Sequence, residues 1–219
     1  MRRVLITGAL GGLGKALTEM FDRYGIHLFL LCRGVRHAAW KQHTWFEGDL
    51  TDFAFIKKLQ FFFEAEEEGL DVLINNAGNY LAKPFDQMSL SDIQNQIALN
   101  LIAPIQLTRV LWESLKKRKG IVFNINSLAG KGGAVGETLY GAAKHGLSGF
   151  SKSLQFDGTR DDVRVVNVTL GAMKTPMSNK RENWENFISP EEVADVLFSL
   201  WSNQKSLRIT EIELNRSRY

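Results

Sequence analysis

The sequence predicts a single doubly wound α/β domain, with helices covering both faces of a mostly or wholly parallel sheet. Three observations carry that expectation. Short apolar runs alternate with longer helical patterns, several runs are apolar at nearly every position, and a glycine-rich turn joins the first run to the first helical pattern. Continuous apolar runs suit parallel strands, because both faces of such a strand are covered and neither meets water.

The elements follow in order. Strands are expected at residues 4–7, 27–32, 44–47, 72–75, 121–126 and 163–169, with a last, alternating one at 207–214. Helices are expected at 13–24, 52–68, 91–117, 139–157 and 190–201. Thr51 or Asp52 can cap the second helix, which carries Phe53, Ile56, Leu59 and Phe63; the run Phe61-Phe62-Phe63 supplies core and partner surface. Ser189-Pro190-Glu191-Glu192 combines a cap, a first-turn proline and acids at the positive end of the last helix.

The chain of 219 residues is 44% apolar and 23% charged, which fits one well-filled core and argues against disorder. A lone cysteine, Cys32, excludes an intrachain disulfide and suits a reducing compartment. No secretory leader is expected, because the apolar stretch after Arg3 breaks at Thr7-Gly8 and no small-residue cleavage site follows. No apolar run is long enough to span a bilayer. A cytoplasmic location without membrane contact is therefore expected. The net charge of +3 is mild, and its one cluster, Lys116 to Lys119, stands before Gly120 where a helix end favours cations. No aromatic-interleaved basic stripe accompanies it, so nucleic acid is not an expected partner.

Residues 4–16, VLITGALGGLGKA, run from strand into helix. Glycines there let backbone N–H groups approach a pyrophosphate, and the helix N-terminus adds partial positive charge. A triphosphate-binding loop would need Ser or Thr after Lys15 to hold magnesium; Ala16 occupies that place, and no metal is expected. After the second strand stands Arg33, with no acid between Tyr24 and Glu47. An acid there would bind a ribose 2′-hydroxyl, whereas Arg33 can pair with a 2′-phosphate, which favours NADP(H) while NAD(H) stays possible. A solvated surface arginine is the other reading.

Tyr140 and Lys144 open a helical pattern four residues apart, about 6 Å along the axis and on nearly one face. An ammonium beside a phenol favours the phenolate, so the tyrosine can exchange a proton with a carbonyl or alcohol oxygen. Ser127, thirteen residues upstream, ends a strand at the carboxyl edge where open α/β sheets bind ligands. The run Asn75 to Gly78 ends the preceding strand at the same edge, and Asn100 is a polar residue among Ile97, Leu99 and Leu101 on the long helix.

With Thr7, Gly8, Gly12 and Gly14 as TGxxxGxG, Asn75 to Gly78 as NNAG, then Asn100, Ser127 and Tyr140/Lys144 as YxxxK, the sequence resembles the short-chain dehydrogenase/reductase family in its compact form. The resemblance implies a Rossmann fold with Tyr140 as general acid/base, Lys144 on the nicotinamide ribose, Ser127 on the substrate oxygen and Asn100 anchoring a water in a proton relay. It implies cofactor contacts from Thr7, Gly8, Gly11, Gly12, Leu13 and Gly14 on the turn, and from Arg33 after the second strand. Asp49 and Leu50 would face the adenine, although Asp49 reads equally as a helix cap. Asn76, Ala77 and Gly78 would line the adenosine ribose, and Met173 and Thr175 would reach the carboxamide and phosphates, beside Tyr140 and Lys144. It also implies a homodimer or homotetramer built on the helices at 91–117 and 139–157.

Three departures stand out. Leu170-Gly171 replaces the family's Pro-Gly, the connection from Arg33 to Thr44 is too short for a full helix, and the last strand lacks a Gly-rich ending. The substrate lid at 174–188 is short and polar; its Lys180, Arg181, Trp184 and Phe187 form either a solvated amphipathic helix or contacts to an anionic or flat substrate. The expected activity is NADP-dependent interconversion of a small-molecule carbonyl and alcohol. A dinucleotide-sensing regulator on the same fold is the alternative.

Overall fold

The computed structural model describes residues 1–34, 40–179, 182–203 and 207–216. Seven strands form one sheet: β1 (Arg3–Thr7), β2 (His27–Cys32), β3 (Thr44–Glu47), β4 (Val72–Asn75), β5 (Ile121–Ser127), β6 (Arg164–Leu170) and β7 (Glu211–Leu214). Their order is β3-β2-β1-β4-β5-β6-β7, and each pairing is parallel. The chain winds outward from β1 in one direction and then from β4 in the other, which opens a crevice past the carboxyl ends of these two strands.

Alternation along each strand divides the core in two. Val4 and Ile6 of β1 face one side with Leu28, Leu30, Val72, Ile74 and Phe123, where α1 (Gly12–Arg23) and α6 (Pro190–Asn203) cover them. Leu5, Phe29, Leu31, Leu73 and Val122 face the other side, beneath α2 (Phe53–Ala65) and α4 (Ala103–Lys117). Val4, Leu5 and Ile6 are all 0% exposed, so β1 has no solvent face, as its continuous apolar run requires. Truncating Leu5 to alanine costs about 2–5 kcal/mol on that ground.

The element ends refine the sequence reading. Asp52, not Thr51, caps α2: its Oδ1 accepts from Ala54 N at 2.8 Å. Ser189 Oγ accepts from Glu191 N at the start of α6. Phe63 is core, whereas Phe61 is exposed and Phe62 packs at the margin. The basic cluster serves the end of α4: Lys116 pairs with Glu113, Lys117 donates to Glu66 O, and Lys119 pairs with Asp162 at 2.6 Å. The last strand is shorter than expected, four residues rather than eight. The helix expected at 91–117 is three pieces: α3 (Leu90–Ile97), a π-helical turn (Ala98–Ile102) and α4. Of the short connection after Arg33, residues 35–39 lie outside the described residues; at 40–43, His43 N bonds back to Trp40 O at 3.2 Å, closing a turn.

A polar rung crosses the apolar sheet. Asn75, Asn124, Asn167 and Glu211 are register partners on β4, β5, β6 and β7. Asn75 Nδ2 donates to Asn124 Oδ1 (2.8 Å) and to Thr108 Oγ1 of α4 (2.9 Å). Asn124 Nδ2 donates to Ser151 Oγ on α5 (Thr138–Arg160) at 2.9 Å, and Asn126 Nδ2 reaches Ser148 Oγ and Asn167 Oδ1 at 2.8 and 3.0 Å. Each of these buried amides donates through its Nδ2, which offsets much of the penalty of burying it, although Asn75 Oδ1 is left without a partner among the described residues.

Candidate active site

The carboxyl edge of the sheet opens into a cleft of about 1180 Å³. Its first wall is the turn after β1. Gly8, Gly11, Gly12 and Leu13 line it. Gly11 is the N-cap of α1, makes no side-chain cap, and no acid stands in the first helical turn. The positive helix end is thus left open to an anion, the donor set a pyrophosphate needs. Two predicted contacts lie behind this wall rather than on it. Thr7 is buried, and its Oγ1 accepts from Asn76 N (2.9 Å) and Ala77 N (2.8 Å), stapling the β1 turn to the one after β4. Gly14 packs the helix on the turn: a Cβ there would stand 2.0 Å from Gly8 O, so no other residue fits.

At the β2 end, Arg33 and Leu50 line the cleft. Asp49 is neither a helix cap nor a lining residue; its Oδ1 accepts from both Thr51 N and Thr51 Oγ1 at 2.8 Å, closing a turn. The Thr51 amide, then its hydroxyl and the Arg33 guanidinium, hold the Asp49 carboxyl below its ordinary range, against the opposing effect of burial. Arg33 Nη1 stands 3.8 Å from Asp49 Oδ2, so the predicted phosphate ligand already has an acid beside it, two residues beyond Glu47.

Ser127, Tyr140, Lys144 and Asn100 all line the same cleft, together with Asn76, Ala77, Gly78, Met173 and Thr175. β5 delivers Ser127 at its last residue, with Ser127 N held by Asn126 Oδ1 and its Oγ accepting from Ala129 N. α5 delivers Tyr140 and Lys144 one turn apart. The Lys144 ammonium donates to Ile125 O at 3.0 Å and sits 5.7 Å from the Tyr140 ring centre. Burial pulls its pKa down to about 8, which still leaves a cation at neutral pH.

The π-helical turn accounts for the polar Asn100. Its Nδ2 donates to Asn79 Oδ1 (2.8 Å), Asn79 O and Gln96 O (both 3.1 Å), and its Oδ1 accepts from Asn79 N. A widened turn lets the side chain reach that loop. Close packing follows: a Cβ on Gly78 would lie 2.7 Å from Asn100 Oδ1. Gln96, four residues before Asn100, was findable from helical spacing; Asn79 was not.

Three further lining residues escaped the sequence reading. Tyr80 donates to Glu137 Oε1 at 2.7 Å, and its ring meets that of Tyr140 edge to face at 5.1 Å. Asn215, just past β7, also lines the cleft and crowds Gly171. Leu170, in place of the family's proline, extends β6 in register with Ser127 and Leu214, and Gly171 N continues the ladder to Leu214 O. A proline would have removed a donor at that position. The lid departs from the amphipathic helix reading. Its described part holds only a three-residue 3₁₀ turn, Trp184–Asn186, closed at its base by a Met173–Ile188 bridge, with Phe187 buried; Lys180 and Arg181 lie outside the described residues.

The sequence and the fold have counterparts in known proteins. The family model for short chain dehydrogenases matches residues 2–186. The chain is 33% identical over 188 residues to a nodulation protein G of Rhizobium sp., covering 82% of this chain and 76% of that one. It is 32% identical over 222 residues to a 3-oxoacyl acyl-carrier-protein reductase of Aquifex aeolicus, covering 95% and 84%. Among solved structures, a metagenomic short-chain oxidoreductase in complex with NADP superposes with a TM-score of 0.85 at 28% identity, covering 99% of this chain and 98% of that one. The chain therefore belongs to the short-chain dehydrogenase family, oxidoreductases that act between CH–OH and C=O groups.

Proposed function

We propose that this protein interconverts a small carbonyl compound and its alcohol with NADP(H) as the preferred dinucleotide. The observation that carries the reading is that Ser127, Tyr140 and Lys144 share one cleft with the uncapped N-terminus of α1. That open helix end and the glycine lining suit the pyrophosphate of a nicotinamide dinucleotide, and Arg33 suits a 2′-phosphate. When bound, the dinucleotide supplies the hydride acceptor or donor.

The chain's own residues do the rest. Ser127 Oγ donates a hydrogen bond to the substrate oxygen and fixes its position. Tyr140 gives that oxygen its proton in reduction and takes it in oxidation. Lys144, held by Ile125 O, keeps a positive charge beside the Tyr140 ring and so favours the phenolate that must form when the proton leaves. Asn100 and Gly78 back this group from the β4 side. Met177, Glu182 and Phe187 of the lid, with Asn215 after β7, line the substrate end, and exposed Ile102 on the π-helical turn and Phe156 on α5 support assembly into a homodimer or homotetramer.

NADPH and NADH oxidation against a panel of ketones and aldehydes tests the reading. Turnover with NADPH favoured is expected. Tight NADPH binding with no turnover on any carbonyl would replace it with a dinucleotide sensor, and a preference for NADH would remove the assignment to Arg33.

A further inference from the structure

Glu137 is an acid with no evident structural task. It occupies the N-cap position of α5 and makes no side-chain cap bond. It turns instead into the cleft, where Tyr80 holds one oxygen, Oε1, at 2.7 Å. The Tyr80 ring packs edge to face on Tyr140, so the carboxylate sits one ring away from the phenol that handles the proton.

No neighbouring cation neutralises it among the described residues. Lys83, whose backbone N bonds Gly136 O next in sequence to Glu137, sends its ammonium to Asp92 at 3.1 Å. Lys131 is shared between Glu211 and Glu213, both at 2.9 Å. Lys144 is buried on Ile125 O. Of the other charged lining groups, Arg33 stands beside Asp49 at the β2 end, Arg216 follows β7, and Glu182 adds a second negative charge. A half-buried carboxylate without a counter-ion costs free energy, and a ligand bearing a positive charge would relieve that cost on binding.

We propose that Glu137 recognises an ammonium group on the substrate, so that the alcohol or ketone turned over carries an amino group close to the reacting carbon. This rests on the carbonyl–alcohol reading above. Tyr80 aims Oε1, leaving Oε2 to accept from the ammonium; the same charge repels carboxylate-bearing alcohols. The reaction itself is unchanged: the carbinol hydrogen leaves as hydride to the dinucleotide, the hydroxyl proton passes to Tyr140, and the ammonium keeps its protons.

The test compares 1-amino-2-propanol with 2-butanol, N-acetyl-1-amino-2-propanol and lactate as substrates for oxidation at neutral pH, where an aliphatic amine is protonated. A charged hydrogen bond of this kind is worth about tenfold or more in kcat/KM. The amino alcohol is expected to exceed both neutral alcohols by at least about that factor, with lactate lowest. Glu137→Gln should bring the ratio of amino alcohol to 2-butanol to within about twofold of unity. A wild-type ratio at or below one overturns the proposal, as does a ratio that survives in the variant. Equal loss on both alcohols, the signature of a residue that merely holds Tyr80, overturns it too. The N-acetyl comparison needs no variant and decides the question even if Glu137→Gln does not fold. Turnover of 2-butanol without amino preference sinks the ammonium alone; no turnover on any alcohol or carbonyl sinks the underlying reading as well.

Discussion

On the β1–α1 side the cleft wall is largely main chain: Gly8, Gly11 and Gly12 present backbone, and Thr7 and Gly14 hold that backbone from behind. On the β5–α5 side the wall is side chains: Glu137 and Tyr140 meet Tyr80 and Lys144 is held by Ile125 O, while Ser127 is held within its own turn. The first wall suits a ligand common to a whole family, since any dinucleotide offers the same pyrophosphate. The second wall holds the groups proposed for proton transfer and substrate choice.

If the two walls are separable, damage to one should spare the other. Tyr140→Phe is expected to lower kcat by about 10²–10⁴. Dinucleotide affinity, read by fluorescence titration, should stay within about threefold; a parallel loss of affinity would break the division. Gly14→Ala attacks the opposite wall, forcing a methyl to within 2.0 Å of Gly8 O. Denaturant titration should show a loss of about 2–3 kcal/mol, and dinucleotide binding should weaken strongly. Unchanged stability would mean that the turn is pliable.

Lys144 sharpens the comparison through pH. Burial lowers its pKa to about 8, below the roughly 10.4 of an unfolded lysine. Below pH 8 the ammonium is charged in both states and its burial cost is fully present. Between pH 8 and about 10.4 the unfolded chain binds more protons, so this group's contribution to stability rises with pH. Relative to Lys144→Met, wild-type stability should therefore gain up to about 3 kcal/mol over that window. A constant difference would show that the charge is compensated. The smallest effect is expected for Arg33→Ala, about tenfold in NADPH affinity with NADH nearly unchanged. No effect would mean that Asp49 keeps the guanidinium for itself.

Most of the sheet was legible in the sequence, since period and apolarity are local: β2, β3 and β4 begin and end at the residues that their apolar runs mark. The turn and the Tyr140–Lys144 pair were legible for the same reason, being short-range patterns. What stayed hidden depends on tertiary proximity. Tyr80 and Glu137 are 57 residues apart, and nothing in either neighbourhood announces the other. The Arg33–Asp49 pair needed β2 and β3 side by side. The π-helical turn was read as plain helix because one extra residue in a turn leaves the apolar pattern nearly intact.

The row of amides across β4, β5 and β6 bears on how the serine finds its height. Shift β5 by one residue against its neighbours and Asn124 and Asn126 would turn toward the apolar side under α1 and α6, with their bonds to Ser151 and Ser148 lost. Each stranded amide would cost about 1–3 kcal/mol. The row thus acts as a notch that admits one alignment of the strands. Ser127 lies three residues beyond Asn124 on the same strand, so the notch also sets how far its hydroxyl stands above the sheet, opposite Leu170.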